Sequence, residues 1–201
     1  MAFWEDDAAE VHRVVLGGLS TNAYGLRCKH TGAAVLVDAP GPPAGLVALA
    51  RRLGADRVLL THGHHDHVGA VPDARAIGCP VSVSPGDAAM VPDHDDELED
   101  DRIIVVGRLR LRVIATPGHT PGSTCFGLDG SALVLAGDTL FPGGPGATRW
   151  AYSDFGAILS SIERRLFDRF GDDTVVLPGH GEPTTIGAER PHLAAWAARG
   201  W

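Results

Sequence analysis

The stretch Thr61–Ala70, "THGHHDHVGA", packs four histidines and one aspartate into the six positions from His62 to His67. A neutral imidazole needs both a donor and an acceptor partner, so a core crowded with imidazoles is hard to satisfy. A solvated surface gives them no reason to cluster. Metal binding is the physical reason that remains, because imidazole nitrogen is the commonest protein ligand for zinc and its neighbours. The apolar run Arg57–Leu60 just before it reads as a strand, which places the stretch on a loop at a strand's end. The "GAVPDARAIG" that follows is helix-like.

The same arrangement recurs three times downstream. "ATPGHTPGS" puts His119 beyond the strand Leu109–Ala115, "LVLAGDTLF" puts Asp138 beyond Ala132–Leu135, and "TVVLPGHGEP" puts His180 beyond Thr174–Leu177. Loops at strand ends are where layered α/β domains gather their chemistry. Gly118, Gly137 and Gly179, each directly before a candidate, are expected to let the backbone turn sharply and approach an ion. The candidates are His62, His64, Asp66, His67, His119, Asp138 and His180. They exceed the four ligands of one tetrahedral zinc and suit two divalent ions sharing a carboxylate. With no cysteine in the set, zinc is the first expectation, and iron or manganese also fits.

Outward from these turns, further strands are expected at Val11–Leu16, Ala23–Cys28, Ala33–Val37, Val81–Val83, Ile103–Val106 and Ser123–Leu128. Pro43–Leu53 reads as a helix with Pro in its first turn and Gly54 at its end. Asp154–Phe170 reads as another, capped by Asp154, apolar on one face and closed by Gly171. A last helix is expected over about 188–198, burying Leu193 and Trp196. Strands mixed with helices, with two stretches of consecutive hairpin-like strands, predict an α/β layered fold containing two sheets. One domain over 1–201 is expected, with "FPGGPGA" (Phe141–Ala147) as a loop.

Composition narrows the function. The chain has 201 residues, 44% hydrophobic and 21% charged, which is ordinary for a globular protein. Its formal charge is −8 without a basic cluster, so nucleic acid is not an expected partner. The acidic run Asp93–Asp101 lacks the glycine and terminal glutamate of a calcium loop and reads as solvated surface. No apolar run reaches the roughly 20 residues that span a bilayer, and "MAFWEDDAAE" does not resemble a signal peptide. Cys28, Cys79 and Cys125 form no CxxC pair. A cytoplasmic protein acting on a small molecule, without a membrane partner, is expected; the oligomeric state is left open.

Taken together, His62-x-His64-x-Asp66-His67, "TPGHTPGS", "GDTLF" and "LPGHG" resemble the metallo-β-lactamase superfamily, in its glyoxalase II-like hydrolase branch. The resemblance covers nearly the whole chain. It implies an αββα sandwich, two mixed sheets flanked by helices, with a dinuclear site in the cleft at the sheets' edges. By position it assigns His62, His64 and His119 to a first metal, Asp66, His67 and His180 to a second, and Asp138 to the bridge. Asp38, ending "VLVDAP", resembles the aspartate that accepts a hydrogen bond from a ligand imidazole; a plain turn residue is the other reading.

The departures are informative. Lactamases of this fold usually carry a cysteine as ligand of the second metal, and here no cysteine occupies a ligand-like turn. Flavodiiron relatives have Glu where this chain has His64. Long-chain glyoxalase II adds a glutathione-gripping helical domain, and the Arg-Thr-Asp common in related hydrolases and persulfide dioxygenases is replaced around Ala147 and Arg149. The Phe141–Asp154 loop therefore departs from the family pattern.

These readings predict a metal-dependent hydrolase whose metal-held hydroxide attacks a thioester of a small cellular thiol, with Asp66 both ligand and orienter. A mononuclear-iron persulfide dioxygenase and a lactone or ester hydrolase are the alternatives. His65 is expected to face outward between ligands, and His12, His30, His94 and His192 to be solvated. Tyr24, Trp4, Trp150, Trp196 and Trp201 are expected in packing roles, and Cys125 as a small buried apolar residue.

Overall fold

The computed structural model describes residues 1–200; Trp201 lies outside them. Seven strands form the first sheet in chain order: β1 (Trp4–Glu5), β2 (Ala9–Leu16), β3 (Thr21–Cys28), β4 (Ala34–Val37), β5 (Ala55–Leu59), β6 (Val81–Val83) and β7 (Asp96–Glu97). Pairing is antiparallel up to β4 and parallel from β4 to β7. The second sheet contains β8 (Ile103–Val106), β9 (Leu109–Ala115), β10 (Thr124–Leu128) and β11 (Leu133–Gly137). A small hairpin, β12 (Leu140–Phe141) and β13 (Gly144–Pro145), precedes its last strands, β14 (Val175–Pro178) and β15 (Thr184–Thr185). The spatial order is β15-β14-β11-β10-β9-β8, with the β11–β14 pair parallel. Both sheets are therefore mixed.

Side-chain alternation sorts each strand between two cores. In β4, Val35 and Val37 face the second sheet while Ala34 and Leu36 face the helices. In β11, Leu133 and Leu135 face the first sheet while Val134 and Ala136 face outward. The inner core joins Leu26, Val37 and Leu59 to Leu111, Phe126 and Leu135. Outside the first sheet lie α1 (Pro43–Leu53), α2 (His65–Val68) and α3 (Val71–Ala76). Leu46, Leu49, Ala50 and Leu53 of α1 recur at helical spacing and are buried. Gly54 closes α1 in the left-handed region, φ 66°. Outside the second sheet lie α4 (Phe155–Ser161), α5 (Ile186–Glu189) and α6 (Leu193–Arg199), and Ile158, Ile162 and Trp196 complete that outer core. The result is the expected αββα sandwich.

Several local expectations change. The helix expected over Asp154–Phe170 does begin at the cap, where Asp154 accepts from Ala157 N. Its second half, Ile162–Phe167, is a π-helix that ends at Asp168, and Gly171 plays no capping part. The expected last helix breaks into α5, a 3₁₀ turn over Arg190–His192 and α6, because Pro191 has no N–H to continue the ladder. "FPGGPGA" is folded into the β12–β13 hairpin. Within the acidic run, Asp96 and Glu97 add an edge strand while remaining exposed. The histidine-rich stretch is a loop only up to His64; His65–Val68 is one helical turn.

Candidate metal centre

Five of the seven candidates sit just past the C-terminal end of a strand, and the other two lie on the helical turn that follows β5. β5 leads to His62 and His64, β9 to His119, β11 to Asp138 and β14 to His180, and α2 carries Asp66 and His67. The two sheets meet here: Thr124 N donates to Thr61 O at 2.8 Å, and Asn22 N donates to Gly179 O at 2.7 Å. Gly137 turns the chain in the left-handed region, φ 48°, against Thr61. Gly179 is required for space instead, since a Cβ there would lie 2.1 Å from Asp138 Oδ1.

All seven candidates come together. His62, His64 and His119 form one group, Asp66, His67 and His180 a second, and His62, His67 and Asp138 an overlapping third; within each, the offered ligand atoms lie within 4.8 Å of one another. His62 Nε2 is 3.1 Å from His64 Nδ1, which is 2.9 Å from His119 Nε2. His67 Nε2 and His180 Nε2 are 3.3 Å apart. Asp138 lies between the groups: its Oδ1 is 3.4 Å from His67 Nε2, and its Oδ2 is 3.5 Å from both His119 Nε2 and His180 Nε2.

The outward nitrogens fix the tautomers. His119 Nδ1 contacts Ala147 O at 2.7 Å, His180 Nδ1 contacts Leu19 O at 3.0 Å, and His67 Nδ1 contacts Asp38 Oδ2 at 2.8 Å. Those oxygens only accept, so each Nδ1 donates, and each neutral ring presents a bare Nε2 to the centre. Thr61 Oγ1 donates to Asp38 and hence accepts from His62 Nδ1 at 3.0 Å, which bares His62 Nε2 as well. Asp38 thus supports two imidazoles, as a partner beyond the site. It holds that position with φ 64°, a conformation aspartate tolerates.

Electrostatics separates the two groups. Burial pushes His62 well below the ordinary histidine range, His64 to about 4, and His119 downward, so all three are neutral at pH 7. Three neutral nitrogens facing one another can share at most one proton, the one His64 Nδ1 would carry. For His67 and His180 burial also acts downward, but the surrounding carboxylates prevail. Asp38 and Asp138 hold His67 well up, and Asp138 and Asp66 hold His180 at about 10. Asp66 and Asp138 are held low despite their own burial. Asp138 Oδ1 is buried and has no hydrogen-bond partner. Converging lone pairs, an orphaned carboxylate oxygen and an all-nitrogen-and-oxygen donor set together fit divalent cations of the zinc–iron–manganese type.

The walls contain residues that sequence reasoning placed elsewhere. Trp150, expected in a packing role, lies against the first group, its ring centroid 4.5 Å from His64 and 5.2 Å from His119. Tyr152 stacks on Trp150 with 2° between planes and puts its hydroxyl 2.9 Å from His64 Nε2. Thr21 Oγ1 donates to Asp66 Oδ2 at 3.0 Å. The signal for the aromatic pair was the departure of the Phe141–Asp154 loop from the family pattern; nothing local marks Thr21. With Leu19, Phe141 and Arg149 these aromatics border a cleft of about 480 Å³ over the histidines. His65 is exposed, as are His30 and His192. His12 is not solvated: its ring is mostly buried beside Glu10, at 3.4 Å. His94 is half-buried and bonds Val91 O. Tyr24, Trp196 and Cys125 are buried in packing roles.

Residues 16–180 match the family model described as the metallo-beta-lactamase superfamily. The chain is 30% identical to hydroxyacylglutathione hydrolase GloC of Haemophilus influenzae, over 78% of this chain and 84% of that one. Among solved structures it resembles the BLEG-1 B3 metallo-beta-lactamase, with 30% identity, TM-score 0.80 and coverage of 90% and 97%. It also resembles TTHA1623 in a di-iron-bound form, with 33% identity, TM-score 0.77 and coverage of 89% and 96%.

Proposed function

The chain belongs to the metallo-beta-lactamase superfamily, and on that premise we propose that it is a dinuclear metallohydrolase acting on thioesters of a small cellular thiol. The observation that carries the proposal is the convergence of seven nitrogen and oxygen donors, in two groups sharing Asp138, at the floor of a cleft with aromatic walls. The relative named as a hydroxyacylglutathione hydrolase supports the substrate class. Three unpaired cysteines suit a cytoplasmic setting.

In this reading His62, His64 and His119 would hold one cation and Asp66, His67 and His180 the other, with Asp138 placed between the two groups. The chemistry such cations supply when bound is a lowered water pKa, toward about 7, and polarisation of a carbonyl oxygen. Asp66 is ionised at neutral pH and fixed by the Thr21 hydroxyl, and there it would orient the attacking water by accepting its hydrogen bond. Asp38 and the carbonyls of Ala147 and Leu19 keep the imidazoles in the tautomer that faces the centre. The Trp150–Tyr152 wall excludes water from one side. A thiolate is a good leaving group, so the site requires no strong general acid.

The test is hydrolysis of a panel of acyl-thiols by purified protein, before and after chelation and with Zn²⁺, Fe²⁺ or Mn²⁺ restored. Turnover that chelation removes and metal returns is the expected result. Protein shown to hold metal that turns over no acyl-thiol overturns the proposal. A single iron with oxygen uptake on persulfides would replace it with the dioxygenase.

A further inference from the structure

Asp87 lies outside the seven candidates and outside every motif described above, on the 3₁₀ turn Pro85–Met90 that follows β6. It is fully buried, at 0% exposure, and no ion pair reaches it among the described residues. A buried carboxylate without a countercharge is costly and persists only where donors satisfy it. Three do. Gly63 N donates to Oδ2 at 2.9 Å, Thr120 Oγ1 donates to the same oxygen at 2.6 Å, and Gly122 N donates to Oδ1 at 2.7 Å. Gly63 stands between His62 and His64, and Thr120 directly follows His119. The three donors therefore come from the two loops that supply the first group of imidazoles, one leaving each sheet. The packing leaves no slack: a Cβ on Gly122 would lie 2.4 Å from Asp87 N. No comparable contact runs from Asp87 to Asp66, His67 or His180, whose support comes from Thr21, Asp38 and Leu19.

We propose that Asp87 is a positioning residue that clamps the loops of His62, His64 and His119 into one ligand set, so that the first cation site depends on it and the second does not. The proposal rests on the two-cation reading given above. Asp87→Asn is nearly isosteric but offers one acceptor oxygen where two backbone N–H groups need one each, so one amide loses its partner. Thr120→Val removes the hydroxyl donor alone, and Thr120→Ser retains it.

Two measurements test the clamp. In chelated protein, hydrogen exchange at the Gly63 and Gly122 amides reads the clamp with no ion present; D87N is expected to accelerate at least one of them. In Co²⁺ titrations followed by visible absorption, wild type is expected to bind two equivalents. D87N should keep one at unchanged affinity and bind the other about 10–100-fold more weakly. T120V should show the same selective loss in milder form, and T120S should restore it, with circular dichroism verifying the fold of each variant. Unchanged exchange at both glycines, or equal weakening of both equivalents, overturns the clamp. Wild type binding a single equivalent overturns the two-cation reading, and the exchange result then still decides for or against Asp87.

Discussion

At Asp38 one carboxylate serves two histidines, accepting from His67 Nδ1 and, through the Thr61 hydroxyl, setting the tautomer of His62. Asp38→Asn keeps the volume and the tolerance for a positive φ, yet it removes the charge that makes His67 donate. Metal affinity should fall about 10–100-fold, measured by competition with a chromophoric chelator; unchanged affinity would reduce Asp38 to a turn residue. A second expectation concerns pH. In the metal-free chain His180 is held at about 10 by Asp138 and Asp66, so at neutral pH it carries a proton that a cation must displace. Metal uptake should therefore release protons, and affinity should rise as pH rises from 6 to 8, by calorimetry in buffers of differing ionisation enthalpy. The seven candidates were legible because residue type and the turn before each suffice to mark them. Tyr152 and Thr21 were not, because their partners lie 88 and 45 positions away in the chain.

At the scale of elements, the strand ends do the positioning, and two glycines do so for different reasons. Gly137→Ala would force a side chain into φ 48° and against the Thr61 side chain at 2.5 Å, so it should lower stability by at least about 1 kcal/mol in a denaturant melt. Gly179 carries no such backbone demand. Gly179→Ala should leave secondary structure near wild type while displacing Asp138, and its signature is reduced metal content in protein that remains folded. Most strands could be read from β-branched runs bounded by turn residues, and α1 from its buried spacing and Gly54. The long helix after Asp154 could not be read through, because its apolar face continues while the hydrogen bonds change register, Asp168 N reaching back to Glu163 O. Hydrophobic periodicity reports which face is buried and carries little information about which carbonyl each N–H selects.

At the scale of the whole molecule, the donor set straddles the seam of the sandwich. His62, His64, Asp66 and His67 arrive from the first sheet's side, and His119, Asp138 and His180 from the second. Several polar contacts cross at this edge, the Thr124–Thr61 and Asn22–Gly179 bonds and the bonds of Thr120 and Gly122 to Asp87 among them, and the apolar core between the sheets joins the rest. Metal-free, the same edge brings together two aspartates and five imidazoles whose protonation demands conflict. Cations bound there act as staples between the sheets, and a ligand that binds only the folded state stabilises it by about 2.7 kcal/mol at a hundred times its Kd. In a chain of this length each kcal/mol shifts the melting temperature by roughly 2–4 °C. Chelation should therefore lower Tm by about 5–10 °C for each cation removed, and restored metal should recover it, by calorimetry at fixed protein concentration. Asp87→Asn should lose part of that increment, because it weakens one staple and spares the other. A Tm indifferent to chelation would mean that the apolar core alone holds the two halves in register, and that the donor set is built before any ion arrives.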